Sequence, residues 1–214
     1  MCNCEYMLLC ALFGYLAGSI PFGLVLTRLA GYGDIRKIGS GNIGATNVLR
    51  TGNKTLALLT VLLDAFKAGI AAYVAFKFIP DQDVVFCGIV TKLNILCSMI
   101  AGSMGVIGHN FPIWLKFKGG KGVASAFGFV LMTNPQLALM LLAVWLIMAF
   151  IFRYSSLAAL TAAATIPAYS FFMLSPIYAV FYSAIAILVI VRHKANILRL
   201  IKGQESKITF KKHK

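Results

Sequence analysis

Residues 31–50, GYGDIRKIGSGNIGATNVLR, place five glycines among three basic side chains and several neutral donors. Glycine reaches positive φ without penalty and has no Cβ, so a run this rich in it lets successive backbone N–H groups curl around an oxyanion. Ser40, Asn42, Thr46 and Asn47 add neutral donors, and Arg36, Lys37 and Arg50 add positive charge. That combination is a phosphate cradle. A plain turn between helices uses the glycines but has no need of the donors and charges around them. The run is not a nucleotide-binding P-loop, because no Gly-Lys-Ser/Thr closes it.

A second stretch repeats the theme. Gly108-His109-Asn110-Phe111-Pro112 leads into Lys116-Phe117-Lys118-Gly119-Gly120-Lys121-Gly122, just before a helix start. Helix N-termini attract anions through free N–H groups and the macrodipole. The same lysines serve equally as anchors of membrane orientation, so this loop alone leaves both readings open. Asp64 and Lys67, three apart on one helix face, neutralise each other inside a bundle. Arg153-Tyr154-Ser155-Ser156 ends an apolar run, where the arginine fits a snorkelling anchor as well as a ligand. His193 shares a helix face with Asn196 at a basic interface. Cys2, Cys4, Cys10, Cys87 and Cys97 have neither zinc-ligand spacing nor an even count, and the few acids are scattered, so neither a disulfide framework nor a metal site is expected.

These loops need something rigid to hold them. With 60% hydrophobic and only 12% charged residues, the 214-residue chain has too little polar surface for a soluble globule, so lipid is much of its solvent. A helix needs roughly 20 apolar residues to span a bilayer. Runs at 6–29, 55–78, 84–107, 135–152, 155–174 and 177–191 qualify, and Val123–Thr133 is a short seventh. With seven crossings and the N-terminus outside, 17 of 20 basic residues fall on one side, the exceptions being Lys67, Lys77 and Lys92. That satisfies the positive-inside rule. Leaving out the short run would send Arg153 and the basic tail to the other side. The expectation is therefore an all-α, polytopic membrane bundle of about seven helices, a single domain over residues 1–214 with its C-terminus cytoplasmic. The basic tail at 192–214 suits an amphipathic interfacial helix. No cleavable leader pattern opens the chain, so the first span is expected to be retained. In a membrane protein, a net charge of +14 points to an anionic leaflet or an anionic substrate before nucleic acid.

Four strings in order, Gly18-Ser19-Ile20-Pro21-Phe22-Gly23, Asp34 to Lys37 with Gly39 to Asn47, Gly108 to Pro112 with Phe117 to Ala124, and His193 with Asn196, Ile197, Arg199, Leu200, Gly203 and Glu205, resemble the acyl-phosphate:glycerol-3-phosphate acyltransferase family, the integral membrane PlsY enzymes. The resemblance implies that Ser40, Arg50, Lys118, Ser156, His193 and Asn196 are catalytic. It implies that Arg36, Lys37, Gly41, Asn42, Thr46, Asn47, Gly119, Gly120, Lys121 and Glu205 bind substrate. Ala68, Lys194 and Ala159 stand where the family more often has Gly, Arg and Ser. The implied substrates are acyl phosphate and glycerol 3-phosphate, taken up at the cytoplasmic face of a bacterial inner membrane by a monomer with no cofactor and no nucleic-acid partner. A thioester-using glycerol-phosphate acyltransferase would carry His-x-x-x-x-Asp, yet the fifth residue after His109 is Trp114 and after His193 is Leu198. The rival reading is a transporter of phosphate or a small organic anion, which would place polar breaks near the midplane in two repeated halves. Here the polar clusters map to one face and no internal repeat is found.

Overall fold

The structure, a computed structural model, describes residues 2–208. Helix α1 (Asn3–Gly18) and helix α2 (Phe22–Leu29) divide the first apolar run. Pro21 has no N–H to donate and restricts Ile20 before it, so the backbone breaks there and leaves carbonyls for other partners. The first loop follows, with a one-turn helix α3 (Ala45–Val48) inside it. Helix α4 (Lys54–Phe78) starts at Asn53, whose side chain accepts from the Leu56 N–H at 3.0 Å.

The run at 84–107 is not one helix. Its first part is an antiparallel hairpin, β1 (Asp83–Phe86) and β2 (Ile89–Lys92), and helix α5 begins only at Leu93 and ends at Asn110. Val84, Val85, Phe86, Ile89 and Val90 favour extended backbone, and Cys87-Gly88, both at positive φ, turn the chain in two residues. The all-α expectation is corrected to this extent. Lys92 bridges Asp81 at 3.4 Å and Asp83 at 3.1 Å across the hairpin, which accounts for one of the exceptions to the charge rule.

The remaining helices are α6 (Val123–Thr133), α7 (Pro135–Phe152), α8 (Ser155–Met173), α9 (Pro176–Arg192) and α10 (Lys194–Ile201). Among the described residues, four segments are long and apolar enough to cross a membrane: Asn3–Leu29, Lys54–Phe78, Pro135–Phe152 and Ser155–Met173. A fifth arises if α9 and α10, bent by 57°, count as one. The tail expected to be an interfacial helix forms α10 over eight residues, and its final part, 209–214, lies outside the described residues.

By internal packing the chain forms two compact units, Met1–Thr133 and Asn134–Lys214. In the first, α1, α4 and α6 each pack on α5, and α4 also packs on α1 and α6, through small residues. A Cβ on Gly18 would lie 2.0 Å from the Gly105 carbonyl oxygen, so at this crossing the two backbones touch. Lipid offers no hydrophobic drive between helices, and close backbone approach supplies the dispersion contact instead. Leu8, Leu12, Leu16 and Phe66 point outward, as lipid-facing side chains do. In the second unit α7, α8 and α9 pack in sequence, α10 folds back on α8 and α9, and Ala158, Ala162, Ile185 and Val189 fill the interior.

Candidate functional site

The first loop is wound around one side chain. Asn47 is 2% exposed, and its Nδ2 donates toward the carbonyls of Ile35, Ile38 and Asn42 at 3.0, 3.0 and 2.9 Å. Its Oδ1 accepts from the Ser40 N–H at 3.2 Å. Asn47 therefore shapes the loop from within instead of facing outward as a ligand. Asn42 closes a smaller turn by accepting from the Gly44 N–H at 3.1 Å. Gly39 stands at φ +55°, and a Cβ there would meet Arg50 Nη1 at 2.4 Å and Asn47 Oδ1 at 2.7 Å, so the guanidinium lies directly across it. Lys37, Ser40, Gly41, Thr46 and Arg50 are exposed around this knot. A cluster of Leu24, Ile35, Val48 and Ala57 supports it from below.

Arg36 has a different neighbour from the one its residue type suggested. Its Nε reaches both Asp34 oxygens, at 2.9 and 3.1 Å, with Arg28 3.2 Å away on the same carboxylate. The hydrogen bond from Arg36 holds the Asp34 carboxyl well below the usual carboxylate range. The loop's free positive charge is accordingly carried by Lys37 and Arg50 more than by Arg36.

The second loop folds back onto the end of α5. The Gly119 N–H donates to the Asn110 carbonyl at 3.1 Å and the Gly120 N–H to the His109 carbonyl at 3.0 Å. Lys116 and Phe117 take left-handed backbone, which turns the chain sharply and leaves Lys118 exposed. Gly120 is buried and Lys121 half-buried. Leu115, from this loop, packs on the same apolar cluster that supports the first loop, so the two basic segments share one foundation.

The tail residues assemble around Glu205 in the second unit. Ser156 Oγ donates to its Oε1 at 2.8 Å, Asn196 Nδ2 to the same oxygen at 2.6 Å, and Arg199 Nε to Oε2 at 2.6 Å. Partial burial pushes the carboxyl's pKa up, but these donors, Arg199 first, outweigh it and hold the group ionised below its ordinary value. An anion so engaged organises its neighbours. It is poorly suited to touching an anionic substrate, whereas the sequence resemblance implied that Glu205 binds substrate. His193 is buried at the junction of α9 and α10, and its Nδ1 lies 2.7 Å from the Val189 carbonyl. A carbonyl only accepts, so Nδ1 carries the hydrogen. Asn196, one turn along, is also buried.

Sequence reasoning missed three participants. Asp34 carries a charge pattern with Arg36 that local spacing could have flagged. Arg199 stands three residues after Asn196, the helical spacing that puts both on Glu205. The approach of His109 to Asp64 had no sequence signal, since it joins α5 to α4.

The arrangement defines a class: a polytopic helical membrane protein whose polar side chains gather in glycine-rich basic loops and at the α9–α10 bend. Residues 8–203 match the family described as Glycerol-3-phosphate acyltransferase. A glycerol-3-phosphate acyltransferase of Rhodospirillum rubrum is 54% identical over 207 residues, covering 95% of this chain and 91% of the relative. One of Mesorhizobium japonicum is 52% identical over 202 residues, covering 94% and 96%. Among solved structures, that of PlsY (YgiH), an integral membrane glycerol 3-phosphate acyltransferase in its glycerol 3-phosphate form, superposes with a TM-score of 0.83 at 37% identity, covering 95% of this chain and 96% of that one. Its lysophosphatidic acid form gives 0.81 at 36%. The chain belongs to the glycerol-3-phosphate acyltransferase family, and it is a membrane protein.

Proposed function

We propose that the chain moves a fatty acyl group from acyl phosphate to the 1-hydroxyl of sn-glycerol 3-phosphate, giving lysophosphatidic acid and phosphate, at the cytoplasmic face of a bacterial inner membrane. The observation that carries this reading is the first loop: a backbone knot held by Asn47, with Arg50 lying over Gly39 and Lys37, Ser40 and Thr46 exposed around it. Such a knot suits a compact phosphate better than a bulky thioester leaving group. Relatives named for this acylation and solved forms with glycerol 3-phosphate and lysophosphatidic acid support the substrate and product.

An acyl phosphate is a mixed anhydride with a good leaving group, so positioning and charge neutralisation are the main demands. The glycerol hydroxyl oxygen attacks the acyl carbon and forms the ester bond. The bond from that carbon to the phosphate oxygen breaks, and the hydroxyl proton passes to a phosphate oxygen. Arg50 stabilises the charge on the departing group, Lys118 holds the phosphate of glycerol 3-phosphate, and Ser40, Thr46 and Lys121 complete the phosphate sites, while Gly41, Gly119 and Gly120, whose N–H groups bond to the Ile38, Asn110 and His109 carbonyls, shape the loops that carry them. Ser156, His193 and Asn196 are proposed as catalytic on the family resemblance. The acyl chain comes from the lipid phase, and the enzyme acts as a monomer without a cofactor.

Purified protein given palmitoyl phosphate and labelled glycerol 3-phosphate should form labelled lysophosphatidic acid with stoichiometric release of phosphate, and added phosphate should inhibit. An equal rate from palmitoyl-coenzyme A would sink the donor assignment. No labelled product from either donor would sink the whole reading.

A further inference from the structure

Asp64 and Lys67 lie inside α4, 3% and 7% exposed, and the proposed chemistry uses neither. Lys67 Nζ is 2.8 Å from Asp64 Oδ1, so the pair offsets the cost of burying each charge. Mutual neutralisation would need nothing more, yet two further links are built. On one side Lys67 Nζ donates to the Ile20 carbonyl at 2.8 Å, at the break between α1 and α2, and lies 5.8 Å from the centre of the Phe22 ring. On the other, His109 Nδ1 stands 3.5 Å from Asp64 Oδ1, with the imidazole 4% exposed.

The far edge of that imidazole meets the second loop. A Cβ on Gly120 would fall 2.0 Å from His109 Nε2, so the ring lies against the Gly120 backbone. The same two residues are joined through the main chain, Gly120 N–H to His109 carbonyl, and Gly119 is joined to Asn110. Tyr15 holds the next turn, its hydroxyl donating to the Phe111 carbonyl at 2.9 Å. A continuous chain of close contacts therefore runs from the α1–α2 break through Lys67, Asp64 and His109 to the glycines beside Lys118.

We infer that Asp64, held by Lys67, is a positioning residue that fixes the His109 ring and, through it, the Gly119–Gly120 backbone that presents Lys118, so that it sets the affinity for glycerol 3-phosphate and not the rate of acyl transfer. The inference rests on the reading of the second loop as a phosphate-holding segment. Neither Asp64 nor His109 needs to touch substrate for it to hold.

The test uses the full-length purified protein as wild type, His109→Gln and Asp64→Asn. His109→Gln leaves the Asp64–Lys67 pair intact, so it decides the matter even where Asp64→Asn fails to insert. Two readouts are taken: steady-state kinetics, and amide hydrogen exchange of residues 116–122, which does not depend on turnover. The expected result is a KM for glycerol 3-phosphate raised about fivefold or more with kcat within about twofold. Loop amides should exchange about tenfold faster while α4 and α5 keep their rates. Unchanged loop exchange with unchanged KM in His109→Gln overturns the inference. So does a rise in exchange over the whole protein, which marks general destabilisation. A wild type that makes no lysophosphatidic acid while its loop still loosens in His109→Gln would remove the proposed function and leave the positioning role standing.

Discussion

Asn47 and Arg50 are three residues apart and have opposite duties. Arg50 is exposed and lies over Gly39, whereas Asn47 is buried and bonds to backbone. Losing a charge-assisted hydrogen bond costs about 1.5–3 kcal/mol, roughly ten- to a hundredfold in rate or affinity. Arg50→Ala and Lys118→Ala should therefore reach the membrane in normal amount and lose about that much in kcat/KM with palmitoyl phosphate. Near-normal kinetics in both would remove the proposed cradle. Asn47→Ala should fail differently. Stranding even one of the carbonyls it serves costs about 1–3 kcal/mol, so amides of residues 38–47 should exchange roughly tenfold faster. Exchange like wild type would show that Asn47 does not hold the loop.

An ionised Glu205 ties α10 to the start of α8 through Ser156, Asn196 and Arg199. Its pKa is depressed below the ordinary 4.5, so the stability it contributes is fully present above that value and is lost as the pH falls through the lower folded-state value. Thermal unfolding of wild type and Glu205→Gln should thus differ most near neutrality and converge in acid. A gap that stays constant with pH would mean the carboxylate's charge is not what Ser156, Asn196 and Arg199 gather around. At the crossing of α1 with α5 the relevant quantity is space. Gly18→Ala must push against the Gly105 backbone, and overpacking costs about 1–3 kcal/mol. The variant should melt measurably lower than wild type, with loss of activity following the unfolding. Wild-type stability would mean the helices can part without cost.

Orientation in the bilayer is a property of the entire chain and follows from its charge. If the first and second loops share the cytoplasmic side, single cysteines introduced at Ser40 and Lys118 in a variant whose five native cysteines are replaced by serine should be shielded from an impermeant thiol reagent in intact cells, and one at Glu5 should react. External labelling at Ser40 or Lys118 would invert the topology and the proposed cytoplasmic site with it.

Membrane residence, the helical bundle and the polar segments were legible because they are local properties of composition and period. The Asp64–Lys67 pair was legible for the same reason, since a spacing of three fixes a shared helix face. Other features depended on partners distant in sequence. The hairpin at 83–92 hid inside an apolar run, because hydropathy does not distinguish a strand from a helix over so few residues. Asn47 looked like a ligand by type and Glu205 by family resemblance, and only folding brought the Ile35 and Ile38 carbonyls to one and Ser156 and Arg199 to the other. Local chemistry is written in residue type and spacing. Whether a polar side chain faces substrate or holds its own backbone depends on which distant groups the packing sets within about 3 Å of it.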